Sequence, residues 1–211
     1  MTSPTASPWN AANIVTMLRI AMVPFFAWAL VADGGHTLTW RLVATAIFVL
    51  AASTDRVDGY LARKNDTVTN LGKILDPIAD KVLIGTALVL LSVLGDVWWW
   101  VTVLFLVREL GITVMRFFIL RYAVMPASRG GKLKTVLQSI AISIYLLPLD
   151  DLPAALGWLA AAVMTVAVAV TLVTGIDYAV KGWQVRRAAR AQDPAVGRPG
   201  PPVDSVVDDG V

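Results

Sequence analysis

Residues 53–81 read STDRVDGYLARKNDTVTNLGKILDPIADK, with five aspartates (Asp55, Asp58, Asp66, Asp76, Asp80) and five basic residues (Arg56, Arg63, Lys64, Lys73, Lys81). Long runs of Leu, Val, Ile and Ala flank this stretch on both sides. The 211-residue chain is 57% hydrophobic and only 16% charged, with a mean hydropathy of +0.68. That is too apolar for an ordinary soluble domain, and the apolar residues come in blocks. Blocks of this kind predict an integral membrane protein.

Six blocks predict spans, at 14–32, 40–61, 75–94, 98–121, 135–149 and 154–180. The second turns polar before it is complete, the third begins inside the charged stretch, and the fifth is short and ends at Pro148. Helix is the expected state, because backbone in lipid must satisfy its own hydrogen bonds and no barrel-like alternation is visible. The fold class is therefore all-α, a polytopic membrane protein with six transmembrane helices. Connections near 33–40, 95–97 and 148–153 hold Asp33, Asp96, Asp150 and Asp151, with only Arg41 near them. The alternate connections hold Arg63, Lys64 and Lys73, then Arg121, Arg129, Lys132 and Lys134, and the C-terminal segment adds Lys181, Arg186, Arg187, Arg190 and Arg198. By the positive-inside bias both termini and the aspartate-rich stretch face the cytoplasm. No basic leader precedes the first block, so that block is expected to be retained. Residues 1–185 form the expected membrane domain, and 186–211 a basic, then disordered, cytoplasmic tail.

The chemistry is bounded by what is scarce. There is no Cys, and His36, the single histidine, sits in a Gly- and Asp-rich connection. Thiolate chemistry is excluded and histidine-based sites are disfavoured. Any metal would be held by oxygen, which suits Mg²⁺, Mn²⁺ or Ca²⁺ and not zinc. Asp55 and Asp58 are three residues apart, and Asp76 and Asp80 four; either spacing places a pair on one helix face. Gly59, Ala62 and Gly72 share those faces and leave room for a ligand or a second helix. Such carboxylates at the ends of apolar helices are costly and repel one another, and divalent cations relieve both costs. Simpler readings stand beside this one. Asp76 before Pro77 fits an N-cap with proline at the first helical position. Asp55 can pair with Arg56 or Lys81, and Asp66 reads as a loop residue.

The spacing Asp55-x₂-Asp58-Gly59-x₂-Ala62-Arg63 … Gly72-x₃-Asp76-x₃-Asp80 resembles, at every fixed position, the signature of the CDP-alcohol phosphotransferases. That resemblance implies six membrane helices, a homodimer, and transfer of a phosphatidyl or similar group from a CDP-linked donor to an alcohol, with release of CMP. It implies two divalent ions, Mg²⁺ or Mn²⁺, held by Asp55, Asp58, Asp76 and Asp80, with Asp80 also the catalytic base. Arg63 would touch the donor diphosphate, and Gly59, Ala62 and Gly72 would let the CDP-diacylglycerol approach. Thr69, Asn13 and Thr16 resemble positions near the cytidylyl group, although helix capping accounts equally for Asn13 and Thr16.

Downstream, "VREL" with Arg108 and Glu109, Arg116 in "TVMRF", and "SRGGKLKTVLQ" resemble the phosphatidylglycerophosphate synthase branch of the family. The acceptor implied is sn-glycerol 3-phosphate, so the activity implied is that of a CDP-diacylglycerol–glycerol-3-phosphate 3-phosphatidyltransferase. Arg108, Arg116, Arg129, Lys132 and Lys134 are the candidate acceptor-phosphate ligands. Gly130-Gly131 before a helix start at Lys132 matches a phosphate-binding helix N-terminus; membrane anchoring by positive charge is the alternative. Cardiolipin synthase and phosphatidylinositol-phosphate synthase are rival branches. A cation transporter is the rival of a different class, and it would place acids near the bilayer midplane in broken helices or inverted repeats. The expected location is the cell membrane with the site facing the cytoplasm. Membrane lipids are expected partners and nucleic acid is not.

Overall fold

The computed structural model describes residues 11–64, 70–119 and 129–191, with side chains over 13–54, 75–115 and 133–184. Its described residues are helical almost throughout: α1 (Ala11–Val31), α2 (Leu38–Lys64), α3 (Asn70–Val93), α4 (Trp99–Ile119), α5 (Arg129–Tyr145) and α6 (Ala154–Ala191). Short 3₁₀ turns at Ala32–Gly35 and Leu149–Asp151 join α1 to α2 and α5 to α6. Each expected span thus falls on a helix, with ends that differ by a few residues except at the C-terminus of α6. The all-α class holds.

The first reversal is tight. Gly35 has φ +77, and a Cβ there would meet the Leu94 side chain at 2.6 Å and the Leu30 carbonyl oxygen at 3.0 Å. Only glycine fits this crossing of the α1–α2 and α3–α4 turns. Helix α1 packs on α2 and α3, α3 on α4, α4 on α6, and α6 on α5. Contacts of α5 with α2 and α3 complete the bundle. Phe26, Phe48, Leu83, Leu88, Leu91, Phe105, Ile142 and Leu146 fill its interior.

Two helices are long and apolar enough to cross a membrane, over Asn13–Gly35 and Ala154–Gln184; α2 and α5 carry shorter apolar stretches, Leu38–Thr54 and Leu133–Tyr145. Helices α3 and α4 are interrupted by Asp76, Asp80 and Lys81 and by Arg108, Glu109 and Arg116. Their outer faces are apolar all the same. Val93 on α3 and Val103, Val107, Leu110 and Val114 on α4 are each more than half exposed, as are Phe25 on α1 and Trp158 and Val173 on α6, far beyond the small apolar patches of soluble monomers.

Several local expectations are corrected. Pro77 is not at a first helical position: α3 starts at Asn70 and carries Pro77 inside. The capping reading of Asp76 therefore fails, and Gly72, Asp76 and Asp80 lie on one continuous helix. Likewise α5 starts at Arg129, so Gly130 and Gly131 are within its first turn and not ahead of it. Pro24 sits within α1 without ending it, whereas Pro148 follows the end of α5. Helix α6 runs to Ala191, so the basic residues that open the expected 186–211 segment continue its last turns.

Candidate active site

Antiparallel connectivity brings the C-terminal half of α2, the N-terminal half of α3, the start of α1, the C-terminal half of α4 and the start of α5 to one end of the bundle. Asp55, Asp58, Gly59, Ala62 and Arg63 lie on α2 and Gly72 on α3, while Arg116 is on α4 and Arg129 and Lys132 on α5. The side chains of all these residues lie outside the described set, as do Thr69 and Asp66 altogether. Asp76, Asp80, Asn13, Thr16, Arg108 and Lys134 are described in full.

On α1, Asn13, Thr16 and Arg19 are all but buried, at 2%, 1% and 2% exposure. Their three-residue spacing forms a polar stripe on a helix otherwise built for lipid. Asn13 and Thr16 stand inside the helix and are buried, which removes the capping alternative. Thr16 Oγ1 donates to Asp76 Oδ1 at 2.6 Å, a bond from α1 to α3 across sixty residues of sequence. The hydroxyl holds one carboxylate oxygen and so fixes the direction of the other. Thr16 therefore contacts a motif aspartate as well as standing at the end expected to receive nucleotide.

Asp80, one turn beyond Asp76, lines a cavity of about 80 Å³ between α3, α4 and α5. Lys81, Glu109 and Gln138 are its other polar walls, and Leu88 and Phe105 are among its apolar ones. Glu109 organises the cations. Its Oε1 accepts from Arg108 Nη1 at 3.0 Å and also from Lys134 Nζ, while Arg108 Nη2 reaches Thr174 Oγ1 on α6 at 3.3 Å. Lys134 is buried, with Nζ 5.6 Å from the Phe105 ring centroid and Asp80, Lys81 and Arg108 within its electrostatic reach. Two of the five expected acceptor-phosphate ligands, Arg108 and Lys134, are thus brought together beside the candidate base.

Sequence reasoning missed Arg19 and Gln138. Arg19 reads as an ordinary interfacial arginine, and Gln138 as one polar residue in a mixed helix. Only their burial, at 2% and 1% exposure, marks them. The period of α1 held a usable signal, since Arg19 continues the face of Asn13 and Thr16.

The opposite end handles charge differently. Arg41 donates through Nη2 to Asp96 at 2.6 Å, through Nε to the Gly35 carbonyl and through Nη1 to the Tyr145 carbonyl at 3.3 Å. The one basic residue near the acidic connections is consumed by a structural clamp. His36 is exposed at that end, away from the aspartates.

The donor set suits hard cations: among the described residues at the site end, the polar groups near Asp76 and Asp80 offer oxygen and nitrogen donors but no thiol or imidazole. Among the described residues no three acidic or imidazole groups converge; the side chains of Asp55 and Asp58 lie outside that set.

Comparison with known proteins agrees with this arrangement. Residues 9–173 match the model of the CDP-alcohol phosphatidyltransferase family. A Mycobacterium tuberculosis protein described as a probable phosphatidylglycerophosphate synthase is 52% identical over 172 residues, covering 82% of this chain and 81% of its own. The CDP-diacylglycerol–glycerol-3-phosphate 3-phosphatidyltransferase of Bacillus subtilis is 36% identical over 193 residues, covering 86% of this chain and 99% of its own. The Rickettsia bellii protein of the same description is 35% identical over 178 residues, covering 80% and 93%. With the motif helices, the buried α1 stripe and the cation pair in place, the chain belongs to the CDP-alcohol phosphatidyltransferase family and stands close to its phosphatidylglycerophosphate synthase branch.

Proposed function

We propose that this protein transfers the phosphatidyl group of CDP-diacylglycerol to sn-glycerol 3-phosphate, giving phosphatidylglycerophosphate and CMP. The observation that carries the choice of acceptor is the meeting of Arg108 and Lys134 on Glu109 beside Asp80. Two cations gathered at one place suit the phosphate of an anionic alcohol, and the names of the M. tuberculosis and B. subtilis relatives point to the same reaction.

Asp55, Asp58, Asp76 and Asp80 would hold the two divalent cations, Mg²⁺ or Mn²⁺, that the family uses. When bound, these ions neutralise the donor pyrophosphate and the charge developing on the leaving CMP. Thr16 orients Asp76 for that task. Asp80 takes the proton from the primary hydroxyl of the acceptor, whose oxygen attacks the phosphatidyl phosphorus as the bond to CMP breaks. Arg63 and the glycines at 59 and 72 seat the diphosphate. Asn13 lines the nucleotide end. Arg116, Arg129 and Lys132 extend the cationic wall toward the acceptor phosphate.

The same reading places residues 1–185 in the cell membrane as six spans, with both termini and the site cytoplasmic and with residues 186–211 as a basic tail. The apolar outer faces of the helices support six spans, including α3 and α4 with their charged inner halves. Trp28, Trp40, Trp98, Trp99, Trp100 and Trp158 all fall at the end remote from the aspartates, as an interfacial aromatic belt does. A homodimer is the expected assembly.

The test is an acceptor panel. Purified protein with Mg²⁺ or Mn²⁺ and CDP-diacylglycerol releases CMP with glycerol 3-phosphate, and Asp80→Asn abolishes that turnover. CMP release with phosphatidylglycerol or inositol phosphate in place of glycerol 3-phosphate refutes the acceptor. Full turnover by Asp80→Asn refutes the base.

A further inference from the structure

Gln138 is 1% exposed, on the α5 face that also carries Lys134 four residues earlier. Neither its Nε2 nor its Oε1 has a hydrogen-bond partner among the described residues. A buried amide with both ends unpaired is rare, because leaving such a group dry costs free energy. This one lines the cavity that holds Asp80 and Glu109. About 80 Å³ exceeds the roughly 10–15 Å³ of such space that one water needs. The cavity is therefore sized for a small polar fragment, and Gln138 faces it with one donor and one acceptor.

We infer that Gln138 is a specificity-determining residue which recognises the secondary hydroxyl of the acceptor. The inference rests on the proposed acceptor, sn-glycerol 3-phosphate. A hydroxyl both donates and accepts, and a neutral amide answers both needs without adding charge beside Asp80. The order of groups also fits a three-carbon phosphate. Lys134 and Arg108 take its anionic end, Asp80 faces the attacking primary hydroxyl, and Gln138 shares the cavity with Asp80, about 6 Å of helix rise from Lys134. Acceptors without a hydroxyl at the middle carbon would leave the amide buried and unpaired. Such a mismatch discriminates strongly.

The experiment compares glycerol 3-phosphate with 3-hydroxypropyl phosphate, which keeps the primary hydroxyl and the phosphate and lacks the middle hydroxyl. The values of kcat/KM for both are measured by CMP release in the parent enzyme, Gln138→Met and Gln138→Leu. The parent should prefer glycerol 3-phosphate by about 10-fold or more, and both variants should lose that preference. The loss should fall on glycerol 3-phosphate, leaving the analogue within about 3-fold and the KM for CDP-diacylglycerol unchanged. Equal losses for both acceptors indicate a structural or water-holding amide and overturn the inference, as does a preference that survives in either variant. No CMP release from the parent with glycerol 3-phosphate overturns the proposed function as well, which separates the two failures.

Discussion

Replacing Thr16 by Val removes one hydroxyl from a buried position and almost nothing else. The side chains are nearly the same shape and both are β-branched, so helix α1 is little disturbed. What disappears is the 2.6 Å bond from Oγ1 to Asp76 Oδ1. Hydrogen bonds to charged groups contribute about 1.5–3 kcal/mol. The Asp76 carboxylate is only half-buried, which favours the lower part of that range. The expected consequence is an Asp76 free to rotate, and a divalent-cation affinity weakened by about 10- to 100-fold, as for other residues that orient metal ligands. Two measurements check this: Mn²⁺ binding to the purified protein by electron paramagnetic resonance, and the Mn²⁺ dependence of CMP release. Both midpoints should shift together, with turnover at saturating Mn²⁺ within about 3-fold of the parent. The alternative role for Thr16, contact with the cytidylyl group, makes a different forecast: a raised KM for CDP-diacylglycerol at unchanged Mn²⁺ affinity. That outcome refutes the argument from the Thr16–Asp76 bond.

Two further perturbations separate the ends of the bundle. Lys134→Met removes a buried cation from Glu109 and should raise the KM for glycerol 3-phosphate about 10-fold or more while sparing that for CDP-diacylglycerol; equal effects on both substrates would show that Lys134 only supports the helix packing. Arg41→Met strands Asp96 and the Gly35 and Tyr145 carbonyls, and should cost about 3 kcal/mol because Asp96 keeps partial access to water. Thermal denaturation in detergent should then show Tm lower by roughly 6–12 °C, with turnover per folded molecule unchanged; an unaltered Tm would mean the clamp contributes nothing.

The helices were legible because apolar runs bounded by Gly, Pro and charge mark them, two of the runs long enough to cross a membrane and the others shorter or interrupted by charge. The motif aspartates were legible too, since their three- and four-residue spacings act within one helix. Contacts between helices were not. Thr16 and Asp76 are 60 positions apart and Arg41 and Asp96 are 55, and no local periodicity announces either pair. The start of α3 misled for a definite reason. Asp76-Pro77 has the form of a helix beginning, but proline inside a helix removes only its own N–H and crowds one preceding carbonyl. The residues from Asn70 onward nonetheless continue the helix backwards and carry Gly72 onto the aspartate face. Gln138 was illegible because burial, not identity, gives it meaning.

Charge in a bundle of this kind must be either cancelled or used, and the two ends show both outcomes. At the remote end Arg41 is cancelled by Asp96, and two more of its N–H groups are taken by backbone carbonyls. Such a pair has no spare charge to offer a ligand. At the aspartate end Arg108 and Lys134 gather on Glu109, with Asp80 within electrostatic reach of Lys134. Burying cations costs free energy in the resting protein, even with the Phe105 ring face beside Lys134. A dianionic phosphate arriving there offsets that cost, because the same low dielectric that penalises buried charge strengthens the new contact. Asp80 borders this cation cluster on one side and the cavity on the other. On the proposed reaction, an alcohol drawn in by its phosphate would be delivered with its hydroxyl facing Asp80, the proposed base. Electrostatic capture and general-base alignment are then two effects of one arrangement of α3, α4 and α5.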